Sequence, residues 1–296
     1  MSTQLRGQLY VMCYVFGFLL MLLITVLRRK VYKTSLLRAL IYSFITFLSG
    51  FCGAVIIGLI YDLLAMLKGI TATVFVDVLG AVVFTSLFLL AAIYSEKAIL
   101  KRRLRRAQTE NDAVFQPWLV SFRDTMDLMI PGAFIVFTCI KIGCAFRGCC
   151  FGVEWSWGVT AQFYYNKTVF PVQIFESASL FLCALAGIFV QKASFYRRGM
   201  SGPFAAFLYG TARFFWEFYR YNPPEMRHFF LGLTIWQLFC ILVWIVAGEW
   251  MIILFKTQPR EPLPKSNRTQ KRKAKQKQSA KQQQMRHSNA KKKKRK

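Results

Sequence analysis

Histidine and acidic residues are scarce in this sequence of 296 residues. It contains two His and 13 Asp or Glu, against 40 Lys or Arg, and its formal net charge is +27. The histidines are His228 and His287, and neither lies near the main group of cysteines. A histidine-based metal site is therefore not expected, and an imidazole base has few candidates.

Two sequence patterns are also missing. No internal repeat is evident, so the inverted-repeat architecture of many transporters has no support. The cysteines contain no C-x-x-C pair, which is a common spacing in zinc sites. Cys144, Cys149 and Cys150 lie together in a polar segment, and a disulfide involving Cys144 stays open as an alternative to free thiols. The other five cysteines lie in apolar runs, where a thiol behaves as a small hydrophobic group. We expect neither a metal nor a cofactor.

Long apolar runs are present instead, and they exclude a soluble domain. Hydrophobic residues make up 55% of the chain, and several runs are long enough to cross a bilayer. No small-x-small cleavage site follows the first run, so we expect it to be retained as a helix. The seven predicted spans are Leu9–Leu27, Ala39–Leu67, Ala72–Tyr94, Leu128–Ile140, Val172–Val190, Pro203–Phe218 and Phe229–Phe255.

The basic residues predict the orientation of these spans. Lys and Arg collect after the first, third, fifth and seventh spans, and positively charged loops stay in the cytoplasm. We therefore predict an all-α polytopic membrane protein with about seven transmembrane helices. Its N-terminus and the loop 146–170 are extracytoplasmic, and its C-terminus is cytoplasmic.

The last forty residues have a different composition from the rest. Residues 257–296 contain 16 Lys or Arg and one acid, with almost no apolar side chains. We predict a disordered polybasic tail that follows a transmembrane domain of residues 1–256. Its expected partners are anionic lipid headgroups, at about 1 kcal/mol per cation. RNA or the ribosome is the alternative polyanion, although no aromatic residues interleave the charges.

One segment, residues 141–152, combines small residues, cations and thiols. It contains three glycines, three cysteines, Lys141 and Arg147. Small residues let backbones and a ligand approach closely, and cations at membrane depth are costly. This segment is our candidate reaction centre. The alternative is that Gly148-x-x-x-Gly152 packs helices and that both cations are interfacial anchors.

Two later segments place further polar groups in apolar surroundings. Gln173 and Glu176 lie at the start of the fifth span, and Arg213 lies about midway along the sixth. Arg213, Glu217 and Arg220 are spaced i, i+4 and i+7, which predicts an ion-pair row on one helix face. A charge inside a membrane span points to a ligand path, and a structural salt bridge is the alternative.

Five motifs in order carry a resemblance to a known family. They are Asp127-x-x-x-Pro131, Ile142-Gly143-Cys-Ala-Phe-x-Gly148-x-x-x-Gly152, Pro171-x-Gln173-x-x-Glu176, Tyr209-Gly-x-x-Arg213-x-x-x-Glu217-x-x-Arg220 and Leu233-Thr-x-x-Gln237-Leu. From about Asp127 to Trp250, the chain resembles prolipoprotein diacylglyceryl transferase. This family also has seven spans with a cytoplasmic C-terminus.

The resemblance implies transfer of the diacylglyceryl group of phosphatidylglycerol to the lipobox cysteine of a prolipoprotein, in the bacterial plasma membrane. The transmembrane domain would then hold a phospholipid cavity. The implied catalytic residues are Arg213, which matches the family's essential arginine, and Lys141. The implied substrate-binding residues are Tyr209, Gln173, Glu217, Arg220, Gly143, Arg147 and Gly152.

The chain departs from the family pattern at several positions. Lys141 replaces an arginine, Cys144 an asparagine, Cys149 a glutamate and Phe170 a histidine. The usual imidazole base is therefore absent, and His228 or Asp77 are the candidates to replace it. A second hypothesis is a non-catalytic membrane protein that keeps the cavity for lipid binding, transport or assembly.

Overall fold

The computed structural model describes residues 3–32, 34–67, 122–161, 167–222 and 231–257, together with some helical positions between 84 and 98. The elements in chain order are α1 (Thr3–Arg28), α2 (Leu36–Leu67), α3 (Phe122–Arg147), β1 (Glu154–Ala161), β2 (Lys167–Val169), α4 (Val172–Phe189), α5 (Ser201–Trp216) and α6 (Ile235–Thr257). Single 3-10 turns, Val190–Lys192 and Glu217–Tyr219, extend α4 and α5.

The prediction of a helical, multi-pass membrane protein is confirmed. Among the described residues, five helices are long and apolar enough to cross a bilayer, namely α1, α2, α3, α4 with its 3-10 turn, and α6. The predicted sixth span corresponds to α5, which has 16 residues. The predicted third span, Ala72–Tyr94, lies mostly outside the described residues, so the number seven stays a prediction. The tail 258–296, Asp77 and His228 also lie outside them.

Helix α3 is longer than its predicted span of Leu128–Ile140. It runs from Phe122 to Arg147 with Pro131 inside it, so half of the candidate reaction segment is helical. The helix stops at Gly148, whose positive φ of 80° is the left-handed conformation that ends many helices. The hydropathy pattern did not show these additional turns, because the helix starts with polar residues and the candidate segment contains glycines.

Small residues bring α1 and α3 close together. A Cβ atom on Gly17 would lie 3.0 Å from Cys139 Cβ, and one on Gly132 would lie 2.9 Å from Met21 Cγ. Packing of this kind substitutes for the hydrophobic effect, which does not drive helices together in lipid. Met21 is also part of a buried core with Leu128, Met129 and Val136.

The remaining helices pack in chain order through polar contacts as well as apolar ones. Ser177 of α4 donates a hydrogen bond to the Thr138 carbonyl of α3 at 3.1 Å. Trp216 of α5 donates to Ser179 of α4 at 2.9 Å, and Trp244 of α6 donates to Thr211 of α5 at 3.0 Å. Helices α3, α4, α5 and α6 therefore form one continuous group.

The two ends of this group differ in their chemistry. At one end α3 stops, α4 starts, and strands β1 and β2 form an antiparallel hairpin between them; we call it the hairpin end. The start of α1 lies there too, since Tyr10 and Cys13 contact Gly143. The C-terminal part of α6 lies at the opposite end, where Leu254 packs on Tyr196 and Met200.

The strands were not anticipated from the hydropathy pattern. β1 contains two tryptophans and a Val-Thr pair, which are residues typical of strands. Gly152 pairs with Arg220 beyond the hairpin, and Val153 N donates to the Tyr219 carbonyl at 2.9 Å. The hairpin is thus joined to the end of α5, and it holds the two segments on either side of the charged residues.

Candidate functional site

Five charged side chains converge at the hairpin end of the bundle. We call them the charge cluster: Lys141, Glu176, Arg213, Glu217 and Arg220. They come from the last turns of α3, the first turns of α4 and the end of α5 with its 3-10 turn. Antiparallel packing of consecutive helices brings these ends together, although up to 79 residues separate the side chains in sequence.

Glu176 is the centre of the charge cluster. Its Oε2 lies 2.6 Å from Lys141 Nζ, and its Oε1 lies 2.6 Å from Arg213 NH1. Arg220 NH1 approaches the same Oε1 at 3.4 Å. One fully buried carboxylate thus contacts three cations, and this compensates the cost of burying them.

Glu217 holds the other side of Arg213. Its Oε2 lies 2.8 Å from Arg213 NH2, and its Oε1 accepts a hydrogen bond from Asn222 Nδ2 at 3.0 Å. Thr234 Oγ1 donates to the same oxygen at 3.5 Å. Thr234 and Gln237 also bond each other reciprocally at the start of α6, as in a capping box, which orients Thr234.

The predicted i, i+4 pair of Arg213 and Glu217 forms, but the predicted position of Arg220 on the same helix face is wrong. α5 ends at Trp216, and after the 3-10 turn the backbone at Arg220 is extended, with φ −85° and ψ 140°. Arg220 therefore turns toward Glu176. Burial alone would lower the pKa of Arg220, but the Glu176 carboxylate outweighs it and raises the pKa, so the guanidinium stays charged.

The expected depth of Arg213 also needs correction. It lies in the last turn of α5 rather than midway along a span, because the helix begins at Ser201 and is short. At 1.5 Å per residue, Lys141 and Arg213 are roughly 5–9 Å from the ends of their helices. The charge cluster is therefore near one end of the bundle, where an ionic headgroup can reach it.

The balance of charge favours an anionic ligand. The cluster holds three cations and two carboxylates, which leaves one positive charge in excess. Both carboxylate side chains are fully buried, whereas those of Lys141, Arg213 and Arg220 are 9%, 13% and 12% exposed. The accessible edge of the cluster is thus cationic.

Two more predicted residues border the cluster. Gln173 donates from Nε2 to the Cys149 carbonyl at 2.7 Å, and its buried Oε1 has no hydrogen-bond partner among the described residues. An unpaired buried acceptor costs about 1–3 kcal/mol, which a ligand hydroxyl would recover. Tyr209 is half-buried and lies within electrostatic range of Glu176 and Lys141.

Three predicted substrate-binding residues make structural contacts, and their role in substrate binding stays a prediction. A Cβ atom on Gly152 would lie 2.5 Å from Phe170 O and 2.6 Å from Tyr219 O, so glycine permits three backbone segments to cross. Gly143 packs on α1 in the same manner, since a Cβ atom on it would lie 3.0 Å from Tyr10 Cδ2. Arg147 stacks on the Tyr10 ring at 5.4 Å. These contacts resemble the packing alternative for this segment.

Sequence reasoning missed three residues of the site as candidates. Glu176 was part of a motif but was not ranked as a site residue, although a carboxylate in an apolar helix is itself a signal. Thr234 was part of a motif as well but was not ranked as a site residue, and Asn222 carries no such signal because it is an ordinary polar residue in a loop. Their role depends on the tertiary contact with Glu217.

A group of three thiols lies beside the charge cluster. The sulfur atoms of Cys144, Cys149 and Cys150 are all within 4.8 Å of one another, and all three cysteines are free. Arg220 lies within electrostatic range of the Cys150 side chain. We call this group the thiol cluster.

The whole region falls within one family match. A family model described as prolipoprotein diacylglyceryl transferase matches residues 2–254. No curated protein matches the chain. The matched span covers well over half of the sequence, and it includes the charge cluster and the thiol cluster.

Proposed function

Because the chain belongs to the prolipoprotein diacylglyceryl transferase family, we propose that it transfers the diacylglyceryl group of phosphatidylglycerol to the thiol of a lipobox cysteine. The family is one of transferases in lipoprotein biogenesis. Its partners are a lipid donor and prolipoproteins. The proposal concerns the reaction and the residues of this chain that perform it.

The observation that supports the proposal is the excess positive charge at the accessible edge of the charge cluster. The donor headgroup carries one phosphate anion, which would balance the cluster. Arg213 and Arg220 offer planar donor groups suited to two phosphate oxygens, and Lys141 adds a point charge. Gln173 Oε1 is available to accept a hydrogen bond from a glycerol hydroxyl.

In the proposed reaction, these cations stabilise the transition state more than the ground state. The acceptor sulfur attacks the glyceryl carbon, a C–S bond forms, and the C–O bond to the phosphate breaks. The thiol proton passes to solvent or to the departing glycerol phosphate, which leaves with the bonding electrons of the C–O bond. Negative charge therefore grows on the ester oxygen in the transition state. Fixed donors at that oxygen stabilise the transition state, and removal of one such donor typically costs 10²–10³-fold in rate.

Lipid supply fits the location of the cluster. The described helices suit a multi-pass membrane protein, and the charge cluster lies near the ends of α3 and α5, which supports access from the headgroups of one leaflet. We place this leaflet on the extracytoplasmic face of the bacterial plasma membrane, following the positive-inside rule. A secreted preprotein would then meet the donor lipid at the hairpin end.

The test is the substitution Arg213→Lys, measured on detergent-purified protein with phosphatidylglycerol and a lipobox peptide. Lysine keeps one charge for Glu176 and Glu217 but loses the two-pronged grip on phosphate. We expect the rate of peptide modification to fall by about 100-fold or more. Arg198→Lys is the matched control, since Arg198 pairs with Asp124 at 3.6 Å at the opposite end.

Both variants must melt at the same temperature as the wild type for this comparison. Full transfer activity in Arg213→Lys would show that the salt bridges of Arg213 are structural. A wild-type protein that binds phosphatidylglycerol and modifies no peptide would instead favour the second hypothesis, a lipid-binding protein that keeps the cavity.

A further inference from the structure

The thiol cluster is built by the way α3 ends. Gly148 N and Cys149 N both donate to the Cys144 carbonyl, at 2.9 Å and 3.2 Å. Gly148 is in the left-handed conformation, and its bond to the Cys144 carbonyl is the 5→1 bond of an αL motif, which ends the helix and reverses the chain. The reversal brings Cys149 and Cys150 back toward Cys144. The spacing of the three cysteines in the sequence gave no indication of this proximity.

The backbone is strained at one residue of the thiol cluster. Cys150 has a φ of 58°, and a non-glycine residue in this conformation costs about 1 kcal/mol or more. Gln173 also secures the turn by its hydrogen bond to the Cys149 carbonyl at 2.7 Å. The three thiols are therefore held together by the backbone and by a neighbouring helix.

The dimensions suit one thiophilic metal ion. Zinc binds thiolate sulfur at about 2.3 Å, so tetrahedral zinc places two sulfurs about 3.8 Å apart. Sulfur atoms that already lie within 4.8 Å of one another need to move by only about 1 Å. Within the described part of the chain, no His, Asp or Glu joins this group, which leaves a fourth coordination position open.

We propose that Cys144, Cys149 and Cys150 bind one Zn²⁺ ion whose fourth position takes the thiol of the acceptor cysteine. This role of the fourth position rests on the proposed function. Cys144 is buried, Cys149 is half-buried and Cys150 is exposed, so the group opens toward the outside at Cys150. The sequence had argued against a metal site, because no C-x-x-C pair is present and neither histidine is near the cysteines in sequence.

The neighbouring charges favour such a complex. Three thiolates and one Zn²⁺ carry a net charge of −1. Lys141 and Arg220 lie within electrostatic range of Cys150, so positive charge faces the thiol cluster. Cations that would repel a bare metal ion therefore attract the metal–thiolate complex.

The metal would also take the part of the imidazole base that the family pattern has and this chain replaces. A thiol bound to a zinc ion is deprotonated outright, so its proton passes to solvent or to the departing glycerol phosphate. The sulfur then attacks the glyceryl carbon as the C–O bond to phosphate breaks. No imidazole base is needed at the position where Phe170 replaces the family's histidine, and no oxidant or reductant takes part.

The first measurement is the zinc content of full-length protein, purified in detergent under reducing conditions and dialysed against micromolar Zn²⁺. We expect about one zinc per chain in the wild type, and at least a tenfold lower affinity in Cys149→Ala and in Cys150→Ala. Cys183→Ala is the matched control, because Cys183 is a buried thiol within α4, and it should keep the wild-type zinc content. The two cluster variants guard against a folding defect in either one.

The second measurement tests the open position without any lipid donor. Cobalt replaces zinc in the same protein, and its sulfur charge-transfer absorbance reports the number of bound thiolates. A lipobox peptide should raise this absorbance by about one third, whereas the same peptide with serine for its cysteine should leave it unchanged.

Three results would overturn the proposal. In the first, the wild type contains no more zinc than the Cys149→Ala variant. In the second, the cobalt absorbance does not change when the cysteine peptide is added. In the third, the thiols of the cluster in freshly isolated membranes resist alkylation until a disulfide is reduced. Neither measurement uses transfer activity. A protein that passes both and modifies no peptide would therefore refute the proposed function and leave the metal site intact.

Discussion

At the scale of single residues, the chemistry of this protein depends on Glu176. Its carboxylate is fully buried and lies within 2.6 Å of both Lys141 and Arg213. Burying an ion pair contributes little net stability, but removing one partner leaves the other charges uncompensated. Glu176 therefore sets the positions of the cations that would meet a phosphate.

We expect Glu176→Gln to destabilise the empty protein by about 3–5 kcal/mol, because three cations would then share Glu217 alone. Inorganic phosphate or phosphatidylglycerol should raise the melting temperature of this variant more than that of the wild type, since the anion replaces the missing charge. The measurement is a thermal melt in detergent, with and without the anion.

The control for this prediction is Glu154→Gln. Glu154 pairs with Lys167 on the hairpin, and both side chains are about half exposed, so its loss should change stability by less than about 1 kcal/mol. Equal melting temperatures for the two variants would show that the Glu176 pairs are no stronger than an exposed pair.

At the scale of helices, a second polar group holds the end opposite to the site. Asp127 of α3 accepts hydrogen bonds from Tyr196 Oη, from Gly199 N at 2.6 Å and from Ser201 N at 2.9 Å. Ser201 begins α5, so the carboxylate serves as a cap from another helix and faces the positive end of the helix dipole. Gln191 adds bonds to the Asp127 carbonyl and to Ser201.

This arrangement predicts a structural role for Asp127 in spite of its place in a family motif. Asp127→Ala should lower stability by about 2–4 kcal/mol, because it leaves two backbone donors and a tyrosine hydroxyl without their acceptor. The affinity for phosphatidylglycerol should stay within about twofold of wild type at a temperature where both proteins are folded, since Asp127 lies at the far end of the bundle. Thermal melts and lipid-binding isotherms measure the two quantities.

Asp124→Ala is the comparison within the same helix. Its Oδ2 lies 3.6 Å from an Arg198 side chain that is 42% exposed, so the loss of stability should be smaller than for Asp127→Ala. A large loss of lipid affinity in Asp127→Ala, with little loss of stability, would contradict the structural role.

At the scale of the whole molecule, function depends on which side of the membrane the hairpin end faces. The start of α1 and the hairpin lie at one end, and the last turns of α6 lie at the other. These relative positions agree with the loop charges, which predict an extracytoplasmic hairpin and a cytoplasmic C-terminus.

Reporter fusions test this orientation directly. A reporter fused after residue 256 should be active only as a cytoplasmic reporter, and one inserted near Glu154 only as an extracytoplasmic one. Both fusions need equal expression, which an epitope tag checks. If the two reporters score the same side, the arrangement of spans is wrong and the donor leaflet must be reassigned.

The sequence by itself determined the membrane class, the helical architecture and the family, because each depends on local properties: apolar length, charge in loops and short motifs. It also made candidates of Arg213, Glu217, Lys141 and Gln173, since polar groups in apolar segments are costly wherever they lie. The contact of Glu176 with three cations, the turn of Arg220 away from its helix and the meeting of three thiols were decided only by the tertiary structure. The first two depend on which neighbouring helix a side chain meets, and this is a long-range property that no local pattern of residues encodes. The third depends on the left-handed conformation of Gly148 and Cys150 at the end of α3, which the spacing of the cysteines does not specify.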